Sequence, residues 1–337
     1  IFTQLYIFYD IYRNKQMLSH RIKKYNLYMN MLIISIFLSL LLAILEPNWN
    51  FAIYVFCILI LTYIIISYME KKKLDNYEVF PILTNLLLIA AVFIRPELIY
   101  HTFFGFNNII TGGRFYGLNN ESMAILLTTS VITFYRIKDK IKSKIVNLAI
   151  LVLYFSTILL ALTDKYAANF GGFLTSIAVF IMLIFTLLLE NKINKKSIIT
   201  WICFGMFIFI IGLTIELKNN PNGHIIDLYL RIKNLGIYEL VDMVLKKIKQ
   251  LLLITISPPW SIIFIGQLYF IRKFTLNNKA LIEKAKKKYP NIESELLIIF
   301  IGSILVFALN DTGVIAFVYM NTYLIRKLIY LKSKYGV

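Results

Sequence analysis

Charge is what this chain has least of. Only 16% of its 337 residues are Asp, Glu, Lys or Arg, where a soluble globular domain carries about 25%. That leaves too few polar side chains to cover a water-facing body of this size, and it excludes a soluble enzyme and a disordered chain. Cysteine is nearly absent. Cys57 and Cys203 both sit in apolar runs without the spacing of a metal site or redox pair, so a disulfide scaffold is excluded too. There is no Gly-rich phosphate loop, no HExxH, no nucleophile elbow and no Cys/His cluster.

What is present is apolar. Hydrophobic residues make up 59% of the chain, and the mean hydropathy is +0.72. A bilayer-crossing helix needs roughly 20 mostly apolar residues. The runs that qualify, several of them short, are Tyr28–Ala43, Phe51–Tyr68, Phe80–Ile94, Glu121–Tyr135, Ile145–Leu162, Gly171–Leu189, Ile198–Ile215, Leu251–Ile271, Glu295–Leu309 and Gly313–Ile325. The expected fold is all-α, a polytopic transmembrane helix bundle of about ten spans. Residues 1–27 read as a partial N-terminal helix and a cytoplasmic segment, and 28–337 as one transmembrane domain. Ile1–Tyr9 has the character of an apolar helix whose beginning is missing, which leaves room for a preceding or partner domain.

The net charge of +18 is decided by topology. Sorted by alternate loops, 27 of the 36 basic residues fall on one side, with nine of the 18 acids, and the other side is neutral. Cytoplasmic loops collect Lys and Arg, so the basic loops and the C-terminus are assigned to the cytoplasm. The charge needs no nucleic acid to explain it. On this reading the cytoplasmic loops are short, basic and featureless, and Lys284–Lys288 faces anionic lipid headgroups.

Every unusual polar motif then lies on the extracytoplasmic side. In Gly112–Glu121 the glycines permit backbone shapes that other residues resist. Arg114 offers a planar fork for carboxylate or phosphate, Asn119 or Asn120 can cap the following helix, and Glu121 falls in its first turn. Counting about 1.5 Å per residue from Glu121 to Arg136 gives less than the hydrocarbon thickness, which places Glu121 below the outer surface. Asn310-Asp311-Thr312-Gly313 interrupts an apolar stretch from Leu296 to Ile325 and reads as a broken or re-entrant helix at depth, or as a tight hairpin. Asp164–Gly172 ends in Asn169-Phe170-Gly171-Gly172, where glycines allow close backbone approach. Within the outer segment 218–258, the apolar residues from Ile237 to Leu252 follow helix-face spacing, as in an amphipathic helix at the membrane interface. His224 is a further polar candidate there.

The Gly113–Gly117 run with Asn120-Glu121, the Ala168–Gly172 run, Gly223-His224 and Asn310–Gly313 together resemble an uncharacterised family of large bacterial multi-pass membrane proteins. Its members carry RFYG–N–E, GANxGG-like and NDSG elements in this order, and the likeness spans roughly residues 110–325. Thr312 replaces the Ser, and Ala167 stands where the family has Gly. A weaker likeness is to the O-antigen polymerase and ligase superfamily, with Arg114, Gly117, Asn120, Gly171 and His224 in the comparable places. Two submerged carboxylates and an Arg on the same side point to extracytoplasmic work on a lipid-linked, phosphate-bearing envelope substrate, as a glycan or polymer transferase. Glu121 and Asp311 are the expected catalytic carboxylates. Arg114, Tyr116, Asn120, Asn169, His224 and Asn310 are the expected substrate ligands, with Gly117, Gly171, Gly172 and Gly313 for backbone approach. A divalent cation between the carboxylates stays open. A transporter or flippase with a mid-membrane site, or an anchor for a partner domain, are the alternatives.

Overall fold

A computed structural model describes residues 2–14, 19–43, 50–72, 78–94, 117–163, 165–188 and 236–336, with scattered positions between 206 and 234. Its helices are α1 (Phe2–Asn14), α2 (Ser19–Ala43), α3 (Phe51–Lys71), α4 (Val79–Ile94), α5 (Asn120–Lys138), α6 (Lys144–Ala161), α7 (Phe170–Leu188), α8 (Ile237–Ile256), α9 (Trp260–Asn277), α10 (Lys279–Lys286), α11 (Ile292–Leu309) and α12 (Gly313–Tyr335). No strand occurs among the described residues. Side-chain caps start several of them: Asn50 accepts from the Ala52 amide at 2.9 Å, and Asn119 from the Ser122 amide at 2.9 Å.

Among the described residues, six helices are long and apolar enough to cross a membrane, seven if the bent pair α8–α9 counts as one span. The chain is therefore a multi-pass membrane protein. The expectation of about ten spans is not met among the described residues, for identifiable reasons. Ile198–Ile215 lies largely outside them. α4 is apolar but has only 16 residues. α5 is a full 19-residue helix whose hydropathy is lowered by Thr128, Thr129, Ser130 and Thr133. Leu251–Ile271 is not one helix: α8 and α9 meet at a 77° bend, where Pro258 and Pro259 withhold the amides a continuous helix requires.

α5 and α12 form the centre of the bundle. Almost every residue of both is buried. They run parallel, as Asn120 beside Thr312 at one end and Arg136 near Lys327 at the other require. α4 and α11 pack antiparallel to them. α3 and α6 lie outside, with Phe56, Leu59, Ile64, Val152 and Leu153 bare of protein cover. Such apolar flanks suit lipid rather than water. α1 is held inward by Gln4, which donates to Thr322 at 2.6 Å and accepts from Gln267 at 2.8 Å.

The expected broken helix at Asn310–Gly313 is instead the turn of a helical hairpin. Asn321 donates to Ser303 at 2.8 Å, and the rings of Phe307 and Phe317 meet at 6.4 Å. That register pairs α11 and α12 antiparallel along their lengths. The apolar stretch from Leu296 to Ile325 is thus shared between two helices, which extend beyond it to Ile292 and Tyr335. α8 forms where the amphipathic spacing places it; none of its residues is buried, and Ile237, Val241, Leu245, Ile248 and Leu252 are exposed.

Candidate functional site

Three of the sequence motifs meet at one end of the bundle, where α5, α7 and α12 all begin. Asn120 donates to Asp311 Oδ1 at 2.9 Å and to Thr312 Oγ1 at 2.6 Å. Asn169, fully buried, donates to the Asn120 side-chain oxygen and to the Leu118 carbonyl, both at 3.0 Å, and accepts from the Gly172 amide at 2.8 Å. Asn310 donates to the Val306 carbonyl at 2.9 Å, and Asp311 Oδ1 also accepts from the Thr312 amide at 2.8 Å. Buried amides of this kind persist only when paired, and the Asn120 and Asn169 carboxamides tie one motif to another.

The glycines fit that closeness. Gly117 has φ +87°, and a Cβ there would lie 2.1 Å from the Ala167 carbonyl oxygen, which itself accepts from the Leu118 amide. A Cβ on Gly171 would lie 2.3 Å from Asn310 Oδ1. The space at Gly117, Gly171, Gly172 and Gly313 is filled by the protein's own chain. Asn119, not Asn120, is the α5 cap, and Glu121 lies in the first turn, half-buried, within electrostatic reach of the Tyr319 hydroxyl. Asn120, Asn169, Asn310 and Asp311 are thus brought together, with Glu121 next to them in the chain. Arg114, Tyr116 and His224 lie outside the described residues. No group of three or more Asp, Glu, His or Cys that could hold a metal ion gathers among the described residues.

The opposite end corrects the expectation of featureless basic loops. Glu78, Arg136, Asp139, Glu295, Arg326 and Lys327 form a packed ionic network there. Glu78 Oε1 lies 2.7 Å from both Arg326 Nη1 and Lys327 Nζ. Arg136 bonds Glu295, lies 3.0 Å from Asp139 Oδ2 and 3.8 Å from Glu78 Oε2. Lys327 Nζ approaches Glu295 Oε1 at 4.0 Å. Arg326 also donates to Asn30 at 2.9 Å, and Tyr289 offers its ring face to Arg136 at 5.0 Å and Lys327 at 4.7 Å. Glu295 is 1% exposed, Arg326 3%, Lys327 4% and Glu78 7%.

Three carboxylates face three cations, so the network is neutral as a whole. Burial alone raises the Glu78 pKa, but Lys327, Arg326 and Arg136 outweigh it and hold the carboxyl well below the usual range. Sequence reasoning missed this network because Arg136, Arg326 and Lys327 were counted as loop charges. One signal was visible: the apolar run Leu328-Ile329-Tyr330-Leu331 continues past Arg326-Lys327, which places the pair inside a helix.

Further polar groups lie between the two ends. Asn85 on α4 donates to Ser130 Oγ of α5 at 2.9 Å and accepts from the Tyr154 hydroxyl at 2.5 Å. Several buried atoms have no hydrogen-bond partner among the described residues, including Thr133 Oγ1, Tyr323 Oη, Arg136 Nε, Arg326 Nη2 and Glu295 Oε1. Intramembrane polar and ionisable groups are costly and tend to mark functional paths. No family model, curated protein or solved structure matches the chain.

Proposed function

We propose that the protein handles a lipid-linked, phosphate-bearing envelope precursor, a glycan or polymer intermediate, at the motif end of the bundle, which the charge asymmetry assigns to the extracytoplasmic face. The observation that carries this reading is the meeting of three helix N-termini, α5, α7 and α12, around Asn120, Asn169 and Asp311. Each N-terminus contributes a partial positive charge of roughly half a unit, and such ends favour phosphate oxygens. Arg114 precedes Gly117 by three residues, about 10 Å of chain at most, and with Tyr116 and His224 it adds the side chains that grip the phosphate. Glu121 or Asp311 accepts the proton of an attacking hydroxyl, and Asn120, Asn169 and Asn310 orient the reacting groups. The likeness of these motifs to those of O-antigen polymerases and ligases supports the same class of substrate.

A flippase for the same kind of substrate is the second reading. The ionic network at the far end favours it, since alternating access needs polar groups on both sides. Single Arg114→Ala, Glu121→Gln, His224→Ala and Asp311→Asn variants, checked for normal insertion, separate the readings in cells. A transferase leaves lipid-linked precursor accumulating on the outer leaflet, whereas a flippase leaves it on the inner leaflet. Unchanged polymers and intermediates in all four variants would sink both and leave a membrane anchor.

A further inference from the structure

We propose that α12 carries a proton path joining the two polar ends of the bundle, with the Tyr323 hydroxyl as its single dry step. Thr312, Tyr319, Tyr323, Lys327 and Tyr330 recur at the three-and-four spacing of one helix face, with Ala316 between the first two. At the motif end the file begins with Glu121, Asp311 and Thr312, all half-buried. Asn120, the neighbour of Glu121, bonds Thr312 at 2.6 Å, and Tyr319 and Tyr323 stand about one turn apart on α12. Lys327, one turn beyond Tyr323, sits in the ionic network with Glu78 and Glu295. From Tyr319 to Lys327 the helix advances only about 12 Å.

The Tyr323 environment is what a relay requires. Its side chain is 1% exposed, and its hydroxyl has no hydrogen-bond partner among the described residues. The Thr84 hydroxyl of α4 lies near it but outside bonding geometry, and gives its own proton to the Phe80 carbonyl at 2.8 Å, which leaves its oxygen open to accept. Beyond it, Thr133 Oγ1 and Glu295 Oε1 are buried atoms with open hydrogen-bonding capacity, the kind of position that ordered water bridges. A buried phenol left unpaired is costly, and transfer gives it a use.

In the transfer, a proton reaches a lone pair of the Tyr323 oxygen from the Tyr319 side. The phenol's original proton leaves toward the Glu78 and Glu295 carboxylates, the phenol is regenerated, and no electron moves. The transmembrane pH or voltage gradient sets the direction. Hydrated cations are excluded, because the Tyr323 step is closed and Arg326 and Lys327 stand behind it.

The inference does not draw on the substrate reading, and its test needs no substrate. The full chain is reconstituted into vesicles holding a pH-sensitive dye, and a potassium diffusion potential is imposed with valinomycin. Wild-type vesicles should change internal pH clearly faster than protein-free vesicles. Tyr323→Phe removes only an oxygen without a hydrogen-bond partner, so it should keep the wild-type melting profile while lowering flux at least tenfold. Glu295→Gln, close in shape, should lower flux comparably. Tyr54→Phe, whose hydroxyl bonds Ser39 away from the file, should stay within twofold of wild type. Wild-type flux no faster than empty vesicles, or Tyr323→Phe and Glu295→Gln both within twofold of wild type, overturns the proposal.

Discussion

Glu78 is the residue on which the buried charges depend most. Replacing it with Gln keeps the shape but leaves Arg326 and Lys327, each 2.7 Å from its Oε1, beside a neutral amide. At an effective dielectric of 20, one such contact corresponds to about 6 kcal/mol of attraction, much of it offset by desolvation. Breaking one side of a buried pair costs on the order of 3–5 kcal/mol, because the remaining charge is stranded. Glu78→Gln should therefore lower stability by about that amount, read as helix loss by circular dichroism during denaturant titration in mixed micelles. Lys327→Gln on its own should cost less, because Glu78 keeps Arg326 at 2.7 Å. The double variant removes one charge of each sign and restores neutrality, so it should lose about 1–3 kcal/mol less than the sum of the singles. A single-variant loss below about 0.5 kcal/mol, or a strictly additive double variant, would show that the network contributes nothing as a unit.

The same carboxylate predicts an acid limit. Its folded pKa lies below the unfolded value of about 4.3, so its contribution is present above that pH and is lost as pH falls toward the folded value. Between pH 6 and 3 the wild type should lose stability more steeply than Glu78→Gln. At the other end, Asn169→Leu strands the Leu118 carbonyl and the Gly172 amide and should cost about 2–4 kcal/mol in the same titration. Gly117→Ala combines positive φ with a Cβ placed against the Ala167 carbonyl, and should cost well over 2 kcal/mol. Gly236→Ala, at φ +83° with open space around it, should cost only the conformational part, about 1–2 kcal/mol.

The helices could be read from the sequence because lipid-facing segments must be apolar along their length, as α3, α6 and α7 are. The motif cluster could be read in part, because Asn and Gly next to apolar runs are conspicuous; that Asn120 would meet Asp311, 191 positions away, could only be expected. The ionic network was hidden for a different reason. Counting charges by loop treats each Lys or Arg as a surface residue, and Arg136 and Arg326 bond to Glu295 and Glu78 across 159 and 248 positions. The depth count from Glu121 rests on the same assumption, and Arg136 is itself enclosed by Glu78, Asp139 and Glu295. At Asn310–Gly313 the sequence leaves a broken helix and a hairpin both open because an apolar run gives no register, and only a pairing such as Ser303 with Asn321 decides for the turn.

α5 and α12 are pinned to one another twice, at Asn120–Thr312 and, through Glu78 and Glu295, at Arg136–Lys327. Neither rod has axial play of its own: a slip of a single turn would unseat both clasps together. Any working stroke of this protein must carry the two rods as one piece, and the strain of motion falls on the looser helices around them.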